Sequence, residues 1–140
     1  MASALFNSSL FDMARGLIDY DTDVFKCLLT TGAYVENKKT HTKRSDVTNE
    51  IAATGGYTAG GVGVTVTVTL DSVNDRIDIA LGGFTIPGAT ITAGKAVYYK
   101  SRGGLATADE IVAVVDFAGN VVSTSGAWSL SASTQRLSNP

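Results

Sequence analysis

The segment Val64 to Leu70, VTVTVTL, constrains the fold more than any other, because apolar and hydroxyl side chains alternate along it with a period of two. A helix would scatter Val64, Val66, Val68 and Leu70 around its circumference. A strand gathers them on one face and sends Thr65, Thr67 and Thr69 to the other. β-Branched residues on both faces also suit a pleated backbone better than a helical one. Beyond the turn-forming DSVND, Ile77, Ile79 and Leu81 resume the alternation, so residues 62–82 are expected to form an antiparallel hairpin.

The same period recurs along the chain. VFKCLLTT places Phe25, Cys27 and Leu29 on one face and Lys26 and Thr30 on the other, which makes Cys27 a core residue. GATIT, KAVYYK, EIVAVVDF, GNVVST and GAWSLSA read as further short strands, punctuated by Gly-Gly or Gly-Asn. Strands at this spacing define a mainly β fold, an antiparallel β-sandwich or barrel-like domain. One N-terminal α-helix precedes it, expected over about residues 3–18, because Phe6, Leu10, Met13 and Leu17 recur at helical steps and Ser3 is a capping residue. Residues 36–50, ENKKTHTKRSDVTNE, are nearly devoid of apolar side chains and read as a long loop with a short helical turn before Ile51. The β region is expected over about residues 24–132, followed by an irregular tail at 133–140. The whole of 1–140 forms a single domain, long enough to bury about two thirds of its unfolded surface without disulfide or metal.

Charge and composition restrict the chemistry. Eleven Lys and Arg against thirteen Asp and Glu give a net charge of −2, which offers no general attraction to nucleic acid or to an acidic membrane. The single Cys27 and single His41 cannot build a disulfide or a multi-histidine metal site. Residues 1–18 lack a basic start followed by an apolar run, and no run approaches the ~20 apolar residues that span a bilayer, so a soluble protein made in a cytoplasm is expected. Asp19, Asp21 and Asp23 in DYDTD resemble the start of a calcium loop, but Val24 and Thr30 stand where such a loop needs Gly and Glu. A hydrogen-bonded turn between helix and strand accounts for them. GGYTAGG has no lysine and is not a phosphate-cradling loop. Asp109, Glu110 and Asp116 read as strand ends rather than a facing carboxylate pair. No catalytic, cofactor-binding or metal-ligating residue is assigned.

Several phrases taken together resemble a known family. GLIDYDTDVFKCLLTTGAY, THTKRSDVTNE, GYTAGG, TITAGKAVYYK and IVAVVDF follow the order of similar phrases in a family of small structural proteins of tailed bacteriophages, over roughly residues 4–118. The resemblance implies a virion location, with other virion proteins as partners: the major capsid protein, or tail and fibre components. It also implies a homo-oligomer in the particle, with no direct contact to nucleic acid or membrane. The first expectation is a non-enzymatic capsid cement or decoration protein. A tail or fibre adaptor is the alternative. A carbohydrate-binding virion domain is a third reading, resting on Trp128, Tyr98 and Tyr99, of which the two tyrosines point to opposite faces of one strand.

Two surfaces are the candidate interface. One is apolar: Phe11 and Ile18, seven residues apart on the helix, fall outside the stripe facing the sheet. The other is the basic group Lys38, Lys39, Lys43 and Arg44, flanked by Glu36, Asp46 and Glu50. It contains no interleaved aromatic residue for stacking on bases, so docking through exposed ion pairs is the expectation.

Overall fold

A computed structural model describes residues 2–139 and arranges them as two antiparallel sheets with one short helix. The larger sheet has five strands in the order β1 (Ala2–Leu5), β7 (Ile111–Leu130), β6 (Phe84–Lys100), β2 (Phe25–Thr30) and β3 (Val62–Val64). The smaller has three, β4 (Val66–Asp71), β5 (Arg76–Leu81) and β8 (Ser133–Ser138). The arrangement is a sandwich and not a closed barrel.

The expected hairpin is present between β4 and β5, with Asp71 opposite Arg76 and Val66 opposite Leu81. It does not begin at residue 62, because the chain changes sheets at Thr65: Val64 pairs with Phe25 of β2, and Val66 opens β4. Gly82 makes this crossing feasible. Its N–H donates to the Thr65 carbonyl at 2.8 Å, and a Cβ at 82 would lie 2.5 Å from that oxygen.

The short strands expected between residues 84 and 130 are two long ones. Thr92 faces Val122 and Ala93 faces Val121, whereas Lys95 faces Asp116, so Phe117–Asn120 bulge out of β7 opposite Gly94. The Gly119-Asn120 pair therefore marks a bulge, not a turn, with positive φ at Ala118 and Gly119. The apparent tail also pairs: β8 runs against β5, with Leu137 opposite Ile77 and Gln135 opposite Ile79.

Helix α1 (Asn7–Ala14) is shorter than periodicity implies. Ala2–Leu5 are drawn into the large sheet beside Ala113–Asp116, and Phe6 is still extended, its N–H bound to the Val112 carbonyl at 3.0 Å. Ser3 is consequently a strand residue and caps nothing. The helix stops because Gly16 adopts φ +78°, the left-handed conformation that commonly closes a helix.

The large sheet is buried on both faces along part of its length. Between the sheets, Phe25, Cys27, Leu29, Val66, Ile79, Leu81, Tyr98 and Trp128 belong to the main core. On the opposite face Phe6, Leu28, Tyr34, Val97, Tyr99, Ile111 and Val114 form a second. This is why AVYY and IVAVV are continuous apolar runs, whereas ATITA alternates where its outer face meets solvent. Of the described residues, no helix is long and apolar enough to cross a membrane.

Candidate interface surface

The segment from Tyr34 to Val47 covers the second core. Tyr34 is fully buried, and His41 lies against both it and Phe6, with ring centroids 5.8 and 6.3 Å apart. The Tyr34 hydroxyl and His41 Nδ1 are 2.9 Å apart, and the Asn37 N–H approaches the same nitrogen at 3.4 Å. Asn37 Oδ1 accepts from the N–H groups of Lys39 and Thr40, at 3.0 and 3.2 Å. Asp46 Oδ2 accepts from Thr42 and Lys43 and caps the 3-10 turn Arg44–Asp46. Those backbone donors hold the Asp46 carboxyl below the usual carboxylate range, against the opposing effect of burial.

The four basic residues of this segment divide into two classes. Lys38 and Lys39 are exposed. Lys43 and Arg44 are turned inward, to two carboxylates that are each 1 % exposed. Arg44 Nε donates to Asp109 Oδ2 at 2.7 Å, its guanidinium carbon lies 4.9 Å from the Tyr99 ring centroid, and Lys43 Nζ is 3.6 Å from Glu110. Arg102 grips Glu110 with two nitrogens and gives its N–H to Asp109 Oδ1 at 2.8 Å. Burial works against ionisation of Glu110, but the Arg102 hydrogen bonds and the charges of Lys43 and Arg102 outweigh it and lower its pKa. Lys43 and Arg44 are thus anchors, which corrects their assignment to a docking surface. The reason is distance in sequence, since their partners lie on the far side of β6.

The flanking acids are engaged as well. Glu36 pairs with Lys95, which also lies 3.6 Å from Asp116. Glu50 accepts at 2.7 Å from both the Tyr57 hydroxyl and the Gly60 N–H, while the Tyr57 oxygen accepts from the Leu29 N–H. The glycine-rich turn is therefore packed onto β2. Gly61 has φ +85°, and a Cβ there would lie 1.9 Å from the Cys27 carbonyl oxygen.

The apolar half of the candidate interface also divides. Phe11 is 59 % exposed, with the Arg15 guanidinium 4.2 Å from its ring centroid. Ile18 is only 3 % exposed and belongs to the main core. Projecting it on a helix fails because the helix ends at Ala14 and the chain turns inward after Gly16. Leu17, expected to face the sheet, is exposed for the same reason. Asn7, one turn before Phe11, donates its N–H to the Lys38 carbonyl at 3.0 Å, so Phe11, Lys38 and Lys39 occupy neighbouring surface. Sequence reasoning missed further exposed apolar side chains, Val35, Leu70, Val73, Leu105 and Val122. The signal for Leu70 and Val73 was their place beside and within the turn of the hairpin.

Cys27 and the aspartate turn are engaged within the fold. Cys27 is fully buried, and burial pushes its thiol up. In the aspartate turn, Asp19 Oδ1 accepts from the Asp21 N–H and Asp23 Oδ2 from the Asp19 N–H, while Lys100 Nζ lies 2.9 Å from Asp23. Among the described residues, no three His, Cys, Asp or Glu side chains are grouped so as to hold a metal ion. Tyr98, Tyr99 and Trp128 are all at most 2 % exposed, so none presents a ring face to a sugar. Comparison with protein-family models, with curated proteins and with solved structures finds no match to this chain.

Proposed function

We propose that the protein is a non-enzymatic structural component of a tailed-phage virion, a decoration or cement protein that binds the assembled capsid shell. The observation that carries this reading is the division of labour between interior and surface. The polar groups that chemistry would require serve as internal fasteners, whereas Phe11, Val35, Leu70, Val73 and Leu105 are left outside. Of these, Leu70 and Val73 lie together on the β4–β5 hairpin, where they are available to a neighbour. The phrases resembling the virion family, which run over roughly residues 4–118, support it too. Phe11, Lys38 and Lys39 are the residues that remain available for docking on a shell.

Quantitative mass spectrometry of purified particles tests the reading. Copies in the hundreds fit a shell protein with quasi-equivalent sites, about six to eighteen fit a tail or fibre adaptor built on a ring, and absence from the particle removes the virion assignment.

A further inference from the structure

The stretch from Val62 to Asp71 forms an open edge of both sheets in turn, first as β3 and then as β4. Because Gly82 donates to Thr65, the pairs facing β5 through hydrogen bonds are those of Thr67, Thr69 and Asp71. Val66, Val68 and Leu70 therefore aim their N–H and C=O groups outward, and none of these has a backbone partner among the described residues. Other edges are blunted: β1 and β3 have four and three residues, and β8 carries Arg136. β4 has neither proline nor bulge, and its one charged residue, Asp71, stands at its end and is paired with Arg76.

We infer that β4 pairs antiparallel with β4 of a second copy, on a two-fold axis at Val68, joining the small sheets into one of six strands. The outward-facing residues fix this register. Val68 meets Val68 of the second copy, and Val66 meets Leu70, so the exposed hydrogen-bonding groups of both edges are satisfied together. The pairing is also complementary along its length. One end of the edge carries Leu70, 72 % exposed; the other borders a groove of about 570 Å³ whose walls include Val24, Phe25 and Val64. Antiparallel pairing brings the Leu70 end of each copy to the groove end of the other. Tyr20 lines that groove with a buried hydroxyl that has no hydrogen-bond partner. Asp71 is held by Arg76 at 3.2 Å and comes opposite Thr65, so the register opposes no like charges along the strand. On the outer face Thr67 meets Thr69 of the second copy, a favourable cross-strand pair. This inference stands on the edge itself and does not depend on a place in a virion.

The Thr67–Thr69 pairing supplies the test, because both side chains are exposed in the single copy. Sedimentation velocity on the full chain, across micromolar to submillimolar concentrations, is expected to show a monomer–dimer equilibrium. Thr67→Lys/Thr69→Lys brings lysines face to face across the axis and should weaken association roughly tenfold or more. Thr67→Glu/Thr69→Lys changes the same two positions but sets opposite charges across the axis, and should restore association to at least the wild-type level. Circular dichroism melting of both variants checks that the single copy remains folded. A wild-type protein that stays monomeric overturns the inference. So does a dimer indifferent to the double lysine variant, or one that the Glu/Lys variant weakens equally.

Discussion

Arg44→Ala should unfold the protein more readily than any other neutralisation in the basic loop. The Arg44 side chain is 20 % exposed and that of Asp109 1 %, so their 2.7 Å ion pair is largely withdrawn from water. Removing one partner of a fully buried pair costs about 3 to 5 kcal/mol, chiefly because the other charge is stranded. Asp109 would keep the Arg102 N–H at 2.8 Å, and water can enter the space vacated by a partly exposed side chain, which lowers the cost. Loss of the guanidinium over Tyr99, with its centroid at 4.9 Å, adds about 0.5 to 1 kcal/mol. The expected total is ~2 to 3 kcal/mol, a drop in Tm of roughly 6 to 12 °C for a domain of this size. Lys38→Ala/Lys39→Ala, by contrast, touches only exposed side chains and should cost less than about 0.5 kcal/mol. Urea unfolding at neutral pH with unchanged m-values measures both. Equal stability of the two variants would refute the assignment of Arg44 as an anchor.

Three further outcomes are expected. Ile18→Ser should cost ~3 to 5 kcal/mol by putting a hydroxyl into the core, whereas Phe11→Ser should cost less than about 1 kcal/mol, as thermal melts of the pair would show. Glu110, Asp23 and Asp46 have lowered pKa values in the folded chain, so the unfolded chain binds more protons in acid. Their contribution is complete above the unfolded carboxylate range of about 4 to 4.5 and disappears as pH falls through the lowered folded values, which a series of melts between about pH 2 and 6 would record. Gly61→Ala should destabilise by more than ~2 kcal/mol and exceed Gly16→Ala, because both have positive φ but only position 61 meets a backbone oxygen at 1.9 Å; chemical denaturation compares them.

What the sequence disclosed was whatever depends on near neighbours. Alternation identified the faces of β2, with Phe25, Cys27 and Leu29 inward, and the β4–β5 hairpin with its turn at residues 72–75. It could not show that Thr65 lies at a crossing between sheets, since a strand that changes partner keeps its period. Residues 3–5 fall within the helix expected from the stripe that begins at Phe6, yet pairing of Ala2–Leu5 with Ala113–Asp116, more than a hundred residues away, outweighs local propensity. Gly-Asn and Gly-Gly punctuate turns and bulges alike, so β6 and β7 looked like several strands. The candidate site suffered from the same limit. Lys38 and Lys39 are as exposed as their composition implies, whereas the orientation of Lys43 and Arg44 is decided by Asp109 and Glu110, which no local pattern connects to them.

The pairing of β1 with β7 sets a timetable for synthesis. Ala2–Leu5 leave the ribosome more than a hundred residues ahead of Ala113–Asp116, the segment opposite them. Phe6 and Leu28 likewise wait for Ile111 and Val114 to complete the second core. Until then the nascent chain carries two sets of apolar residues with no sheet to close on, and the β4 edge is open for pairing with another nascent chain. Completion of the fold therefore waits for residues 111–116 and is expected to show the slow kinetics of distant strand pairing. A translational pause after β4 has left the ribosome and before Ile111 is made would prolong the exposure of this edge, and a chaperone that shields extended segments would shorten it.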